Sequence, residues 1–223
     1  MTKILAVTDL HYYRPYFEWV RAEALSGRYD AVACAGDGLG FFPSPPDQEG
    51  GLRTWLERFP IPIYYSRGGY DPDTAALARI RNPNFYAGGV WVLGRWRIVV
   101  VDVWSGVGYI PATAAQTVLV SHYPPAGTMC SRAAGAGFDA AELGRGDVRA
   151  MIDRIDTARI AICGSVHEPA RHHDEFGNTL VINTGLAHNE MRGVPNHAII
   201  DLDRRSAAID TGRTMTCIDF AGG

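Results

Sequence analysis

Some features are scarce in this sequence, and each absence excludes a class of protein. Lysine occurs once among 21 basic residues and the formal net charge is −3, so the sequence gives no sign of the basic surface that binds nucleic acid. No apolar run approaches the roughly 18 residues of a membrane-spanning helix, and the N-terminal run at residues 4–7 is too short for a signal-peptide core. We therefore expect a cytoplasmic protein without a membrane anchor; nothing in the sequence indicates its oligomeric state.

Cysteine is also rare, with four residues that show no C-x-x-C spacing. Cys34 and Cys163 lie in apolar, strand-like runs, where buried and reduced thiols are expected. The chain has no internal repeat and no linker-like stretch. At 223 residues, with 47% hydrophobic and 20% charged residues, it is predicted to form one globular domain over residues 1–223.

The first third of the chain alternates between two periodicities. Near-continuous apolar runs at residues 3–9, 30–37 and 61–68 predict buried strands, and apolar residues at helical spacing predict helices over 16–25, 51–59 and 74–81. This alternation is typical of a parallel sheet covered by helices. The fold class is therefore α/β.

The rest of the chain is richer in strands. A hairpin is predicted to turn at Gly94 and Arg95, a buried strand follows at 117–122, and a helix spans 142–156. From Ala158 onward only strands are predicted, with a turn at Gly177 and Asn178. Two long loops rich in glycine and proline, at 38–51 and 123–140, are either functional or inserted without function.

Polar side chains stand where the predicted strands end. In an open α/β sheet, ligand sites form outside the carboxyl ends of the strands, and mixed carboxylate and imidazole ligands suit Zn, Mn or Fe. One such aspartate is more often a helix cap or turn former, and one such histidine is more often packed. Six of them at one edge favour a metal site. They are Asp9, His11, Asp37, Asp71, His122 and His167.

These residues fall into five short motifs whose order resembles the calcineurin-like metallophosphoesterase family. The family motifs read D-x-H, G-D, G-N-H-D/E, G/S-H and G-H-x-H. The resemblance implies a four-layer αββα sandwich of two mixed sheets flanked by helices, with two metals at the strand ends. It also implies hydrolysis of phosphomonoesters or phosphodiesters through a metal-bound hydroxide. The matching segments are Asp9-Leu10-His11, Gly36-Asp37, Gly68-Gly69-Tyr70-Asp71, Ser121-His122 and Gly164-Ser165-Val166-His167.

The two implied metal sites differ in completeness. The first takes Asp9, His11 and His167, with Asp37 as the bridging carboxylate, and all four are present. The second shares Asp37 and takes His122, together with an asparagine and a histidine. This chain has Gly69 and Ser165 at those last two positions. One firmly bound divalent transition metal (Mn, Fe or Zn) and a weakened second site are expected.

Besides Gly69 and Ser165, the chain departs from the family motifs at the residue that assists the leaving group. Tyr70 stands where the family has a histidine, followed by Asp71, the acid that orients that histidine. A phenol stays protonated at neutral pH and can donate a hydrogen bond but carries no positive charge. The expected catalytic residues are Tyr70, Asp71 and His122.

Substrate-binding residues are harder to identify from the sequence. Arg67 or Arg14 can supply positive charge to a phosphate, although each is also readable as a surface arginine. Tyr12 is the other expected substrate contact. Six aromatic residues are candidates for the rim of the cleft, where they would stack a nucleobase or aryl group, or else pack: Tyr12, Tyr13, Phe41, Phe42, Tyr70 and Tyr123.

Two further readings remain beside the hydrolase. A catalytically impaired binding or scaffold module on the same fold is favoured by the missing ligands. A nucleotide-binding glycine loop at residues 35–40 is disfavoured, because its spacing is wrong and Asp37 would repel phosphate. The pair His172 and His173 can offer at most one replacement ligand, and a polar hairpin strand is the favoured interpretation.

Overall fold

The computed structural model describes residues 1–40, 46–102, 114–134, 142–187 and 192–220. Thirteen strands lie within these ranges: β1 (Lys3–Val7), β2 (Ala31–Cys34), β3 (Ile63–Tyr65), β4 (Phe85–Ala87), β5 (Gly89–Leu93), β6 (Trp96–Val101), β7 (Thr117–Ser121), β8 (Ala158–Cys163), β9 (His173–Phe176), β10 (Thr179–Asn183), β11 (His197–Asp201), β12 (Ser206–Asp210) and β13 (Met215–Asp219). The helices are α1 (Arg14–Leu25), α2 (Pro46–Glu57), α3 (Thr74–Leu77) and α4 (Gly146–Arg154), with a 3-10 helix at Met129–Ser131.

The strands form two mixed sheets. The first sheet has the order β13-β12-β11-β1-β2-β3-β4, and the second has the order β5-β6-β7-β8-β10-β9. Four neighbouring strands are parallel in each sheet: β1 to β4 in the first, and β6, β7, β8 and β10 in the second. The carboxyl ends of these parallel strands are where the predicted site residues begin.

Side-chain alternation along the strands builds the layers. Ile4 and Ala6 of β1 pack between the two sheets with Ile98 and Ile160, whereas Leu5 faces the opposite side. That opposite face is covered by α1 and α2, and α4 covers the outer face of the second sheet. The predicted four-layer αββα sandwich is confirmed.

Several element boundaries differ from the prediction. Helix α2 begins at Pro46, inside the predicted loop, because proline fits a first helical position and Asp47 and Glu49 favour the positive end of the helix dipole. Helix α4 begins at Gly146 rather than at residue 142, and α3 ends at Leu77 rather than at residue 81. The three-residue strand β4 was not predicted, since so short a run carries no periodicity.

The cysteine prediction is confirmed. Cys34 and Cys163 are buried free thiols, and burial raises the pKa of each above its ordinary value. No helix in the described ranges combines the length and apolar character that crossing a bilayer requires. That residues 1–223 form one domain stays a prediction.

Candidate metal centre

The fold brings the predicted strand-end residues to one edge of the sandwich. Asp9 and Asp37 follow the paired parallel strands β1 and β2, and His122 and His167 follow β7 and β8 of the other sheet. Backbone hydrogen bonds tie the first two loops together, from the Asp9 amide to the Gly36 carbonyl and from the His11 amide to the Asp37 carbonyl, each at 3.0 Å. The ligand candidates are therefore shared between the two sheets.

The first group of ligand atoms belongs to Asp9, His11 and His167. The Asp9 Oδ1 atom lies 3.8 Å from His11 Nε2 and 3.6 Å from His167 Nε2, and the two imidazole nitrogens are 3.1 Å apart. Asp9 Oδ2 accepts hydrogen bonds from the Thr8 hydroxyl and the Ser165 amide. Asp9 Oδ1 is buried and has no hydrogen-bond partner among the described residues.

A buried carboxylate oxygen without a donor is costly unless a cation or donor satisfies it. Here that oxygen faces two imidazole nitrogens at distances that suit a common ion. The donor set of one carboxylate and two imidazoles is typical of Zn, Mn and Fe sites. The described residues therefore fit a divalent metal at this position.

The second group consists of Asp9, Asp37 and His122, so Asp9 is the carboxylate common to both groups. His122 Nε2 lies 3.3 Å from Asp37 Oδ2, and His122 Nδ1 donates to the Ala35 carbonyl at 2.7 Å. A backbone acceptor at Nδ1 fixes the tautomer in which Nε2 can ligate a metal. The implied bridging role of Asp37 stays a prediction.

Electrostatics distinguish the two groups of ligands. Burial lowers the pKa of His122, but its hydrogen bond to Asp37 and the charges of Asp37 and Asp9 outweigh burial and raise that pKa to about 9. Burial also raises the pKa of Asp37, yet the His122 interactions and the Tyr70 amide bring it below its ordinary value. In the first group, burial lowers the pKa of His11 and raises that of Asp9.

The backbone around the centre is strained. Six described residues other than glycine have positive φ angles, and five of them lie in the loops that hold the ligands. Such conformations persist only where the surroundings enforce them, and they concentrate at functional sites. The five are Asp9, His11, Tyr12, Asp37 and Ser165, with φ between 45° and 64°.

The loop at residues 66–71 acts mainly through its backbone. The Tyr70 amide donates to Asp37 Oδ1 at 2.9 Å, and a Cβ at Gly68 would lie 2.2 Å from that same oxygen. Asp71 is buried, and its carboxylate accepts from the amides of Asp37, Gly68 and Leu39. Asp71 is thus a positioning residue that binds this loop to the one after β2.

Tyr70 and Gly69 face a more open region. The Tyr70 side chain is 39% exposed, and its ring centroid lies 5.7 Å from that of His11. A Cβ at Gly69 would meet only the Tyr123 hydroxyl, at 3.7 Å. The structure therefore leaves room for a side chain at position 69, where the family motif has a metal-binding asparagine and this chain has none.

The predicted substrate contacts lie in different environments. The Tyr12 ring packs edge-on against Phe17, and its hydroxyl lies over Gly51 of α2; its expected contact with substrate stays a prediction. Arg14 is 86% exposed and pairs with Glu18 along α1, as a surface arginine does. Arg67 lines a cavity beside the centre. Phe41 and Phe42 lie outside the described residues.

The sequence did not reveal two residues that shape the centre. The Asn183 amide donates to the carbonyls of Gly164 and Val166, and its oxygen accepts from the Gly185 amide. The Ser66 hydroxyl accepts from the His122 amide. Both are polar residues at the end of an apolar strand, which is the one local signal that they share with the ligands.

Tyr123 and Arg145 extend the centre toward α4. The Tyr123 ring packs edge-on against the His122 ring with centroids 4.9 Å apart, and the Arg145 guanidinium lies 5.5 Å from the Tyr123 centroid. Tyr70 and Tyr123 thus border the ligand groups, which leaves them as candidates for the rim. Tyr13 instead packs against Tyr16 of α1.

The histidine pair after the last motif behaves as a polar hairpin, as predicted. His173 begins β9 and pairs with Ile182, and His172 Nδ1 lies 2.9 Å from the Asn183 carbonyl. Neither histidine belongs to a ligand group found among the described residues. His172 and His173 therefore offer no replacement for the missing ligands.

Comparisons with known proteins find this architecture among solved structures. No family model and no curated protein sequence matches the chain. Solved structures do, at low identity: a dimetal phosphatase from Danio rerio (11% identity, 99% of each chain covered, TM-score 0.68) and an archaeal phosphodiesterase (15%, 97% and 99%, 0.56). The phosphoesterase Yfce from E. coli is a third (11%, 99% and 100%, TM-score 0.52). The predicted resemblance is confirmed in the fold: this chain has the metallophosphoesterase fold.

Proposed function

We propose that this protein is a metal-dependent phosphoesterase that hydrolyses phosphomonoesters or phosphodiesters of small molecules, nucleotides among them, in the cytoplasm. The observation that carries the proposal is the buried Asp9 Oδ1 atom, which faces His11 Nε2 and His167 Nε2 and has no hydrogen-bond partner among the described residues. The phosphoesterases with the same fold support the reaction class.

The metal would be held by Asp9, His11 and His167, with Asp37 as the fourth ligand. When bound, a divalent ion lowers the pKa of a water molecule and neutralises charge on the phosphoryl group. Thr8 and the Ser165 amide hold Asp9 Oδ2, so that Oδ1 stays directed at the imidazoles. Mn, Fe and Zn all suit these donors.

The chain's own groups would then orient the substrate. The partly exposed Tyr70 ring lies beside His11. Its hydroxyl would donate a hydrogen bond to the leaving oxygen, while Asp71 holds the loop that carries Tyr70. His122, protonated in the metal-free protein, would carry positive charge toward the phosphoryl group or give up its Nε2 proton to bind a second ion.

The proposed centre is asymmetric. The second group retains Asp37 and His122, but Gly69 has no side chain and a neutral serine hydroxyl at Ser165 is a poor ligand. We propose one firmly held ion and a second that binds weakly. With one ion firmly held, a metal would stabilise only one of the attacking and leaving oxygens, so turnover would be lower than with two ions.

The test is a joint measurement of metal content and turnover. The purified protein, dialysed and then titrated with Mn²⁺, is expected to hold close to one ion per chain and to hydrolyse an activated aryl phosphodiester. Asp37→Ala is expected to abolish turnover, because it removes a ligand and the anchor of the Tyr70 amide. The matched control is His172→Ala, which lies outside both ligand groups and is expected to keep both properties.

A second candidate is a catalytically impaired binding or scaffold module, and the empty positions at Gly69 and Ser165 favour it. The same measurement separates the two. A scaffold would hold metal stoichiometrically and show no turnover of any aryl phosphate ester, with Asp37→Ala changing metal content alone. That result would rule out the hydrolase.

A further inference from the structure

A cavity of about 340 Å³ lies at the strand-end edge, beside the candidate metal centre. Its position follows from strand register. Val101 of β6 pairs with Ser121 of β7, so Asp102, which lines the cavity, stands beside His122. Neighbouring strands are about 4.8 Å apart. The cavity therefore begins one strand away from the His122 imidazole in the second sheet.

The first sheet gives the same placement. Tyr65 of β3 pairs with Cys34 of β2, and the two chains continue side by side until Gly68 contacts Asp37. Tyr65 and Arg67 line the cavity, so Arg67 separates it from the Gly68–Asp37 contact. On both sheets the cavity lies on the Asp37 and His122 side and away from Asp9, His11 and His167.

Arg67 connects the cavity with the centre through its place in the chain. It lines the cavity, and it directly precedes Gly68, which lies against the Asp37 carboxylate. A guanidinium on this side of the centre can bind a phosphoryl group with two hydrogen bonds.

The lining combines aromatic surface with a few polar groups. Tyr65, Phe85 and Trp91 contribute rings, and Leu77 and Ile80 contribute aliphatic surface. At the polar end, the buried Asp102 carboxylate accepts a hydrogen bond from the Thr74 hydroxyl. Apolar walls with a small number of convergent polar groups, at this volume, are typical of small-molecule sites.

The chain crosses between the two sheets at the cavity wall, where Gly88 and Gly89 line it. Strand β4 ends at Ala87 and β5 begins at Gly89, so Gly88 alone connects the edge strands of the two sheets. Gly88 and Gly89 both have positive φ, at 66° and 99°, which favours glycine. This short connection keeps the Trp91 ring near the β4 edge, 4.8 Å from the Tyr86 ring between centroids.

We propose that this cavity binds the organic group of the phosphate ester, and that this group is a planar aromatic ring system. The inference rests on the proposed phosphoesterase function and adds its substrate class. The rings would stack on the aromatic walls, Asp102 would accept from ring N–H groups, and Arg67 would contact the phosphate at the junction. The organic group thereby occupies the side of the second ligand group, the incomplete one.

The test compares two non-hydrolysable probes that share one anionic group. Binding of methylphosphonate and phenylphosphonate to the Mn²⁺-loaded protein is measured by calorimetry. Phenylphosphonate is expected to bind about 3–10-fold more tightly, the gain that one aromatic contact typically gives. A nucleoside 5′-phosphonate that binds more tightly still identifies the ring as a nucleobase, and one that only equals phenylphosphonate identifies a simpler aryl group.

Two variants locate the effect. Ala87→Phe fills the cavity from β4 and is expected to remove the preference for phenylphosphonate while leaving the methylphosphonate affinity within twofold. Trp91→Ala, which adds no bulk, is expected to reduce the same preference. The control is Val92→Phe, a neighbouring position on β5 that is 76% exposed and does not line the cavity.

The outcomes separate the two proposals. Equal affinity for both probes in the unmodified protein, or an Ala87→Phe variant that keeps the preference, overturns the cavity assignment and leaves the phosphoesterase intact. If neither phosphonate binds the metal-loaded protein, the proposed function fails and this inference fails with it.

Discussion

The two ligand groups of the candidate centre differ in completeness. Beside the first group, Thr8 and the Ser165 amide hold one Asp9 carboxylate oxygen, and a Cβ at Gly164 would lie 1.8 Å from the Thr8 hydroxyl. Beside the second group, a Cβ at Gly69 would have one neighbour within 4 Å. Space therefore remains at one of the two positions where the family motif has a ligand and this chain has none.

The residues that the second group retains are well held by the fold. Asp37 and His122 are buried and hydrogen-bonded, whereas His11 and His167 of the first group are partly exposed. The expected weakness of the second group therefore concerns positions 69 and 165 alone.

The largest expected effect comes from the first ligand group. Asp9→Asn removes the charge between His11 and His167, and we expect turnover to fall by at least about 100-fold, since losing a partner of a metal ligand alone costs about 10–100-fold. The metal-free variant should melt no lower than the parent, because the buried carboxylate it replaces has an oxygen without a partner. Thermal melts with and without Mn²⁺ check both points. Retention of the metal-induced rise in Tm by the variant would contradict the assignment.

The next test restores the ligands that the second group lacks. The double variant Gly69→Asn with Ser165→His restores both missing side chains; position 69 has room, and Ser165 already holds a positive φ without being glycine. We expect metal content to rise from about one to about two ions per chain by elemental analysis, with higher turnover. Gly50→Asn, at an exposed glycine in α2, is the matched control. An unchanged stoichiometry would show that the second group cannot be rebuilt from these positions.

Substitution of Asn183 tests whether the first ligand group depends on the hydrogen bonds that support its loop. Asn183→Ala leaves the Gly164 and Val166 carbonyls without their buried donor, at a cost of about 1–3 kcal/mol in stability. The loop that carries His167 should loosen, and metal affinity should fall about 10–100-fold. Asn178→Ala, in an exposed turn, is the comparison for stability. A variant that loses stability but keeps its metal affinity would limit Asn183 to a structural role.

The two groups should also differ in pH dependence. Because the pKa of His122 in the folded, metal-free protein is about 9, above its ordinary 6.5, its proton stabilises the fold fully below pH 6.5, and this contribution is lost as pH rises through 9. An ion at the second group must displace that proton, so its affinity should fall about tenfold per pH unit below 9. Burial lowers the pKa of His11, so the first group should bind with little change between pH 7 and 9. Calorimetry in buffers of different ionisation enthalpy counts the protons released, and equal release at both groups would contradict the distinction.

The smallest effect is expected at the rim. Tyr70→Phe removes one hydroxyl from a partly exposed side chain, and a lost hydrogen bond of about 1.4 kcal/mol corresponds to about tenfold in rate. The loss should appear in kcat for alkyl esters and be nearly absent for activated aryl esters, whose leaving groups need no assistance. An equal loss for both classes would assign Tyr70 to binding instead.

The sequence predicts the elements of this fold and the identity of the ligands better than it predicts their supports. Asp9, Asp37, His122 and His167 could be found because each is polar and directly follows an apolar run, which is a local pattern. The supporting contacts join residues far apart in the chain, such as the Asp37 amide with Asp71. Nothing local marks Asp71 as an acceptor for three backbone amides rather than as a catalytic acid.

Short elements and packing roles were missed for the same reason. Strand β4 has three residues and owes its existence to its pairing with β3. Tyr12 directly follows a ligand candidate, and its ring packs against Phe17, a contact that no sequence pattern indicates. Its expected contact with substrate stays a prediction.

The division of the ligands between two sheets has a consequence for unfolding. Asp9, His11 and Asp37 belong to the first sheet, and His122 and His167 belong to the second. In the metal-free protein, the Ser66 hydroxyl already links the sheets at this edge, by donating to the Val101 carbonyl and accepting from the His122 amide. A bound ion would add a cross-link between residues 9 and 167, which closes a loop of most of the chain. The sheets could then separate only after the ion releases its ligands on one of them, so a bound ion would slow unfolding.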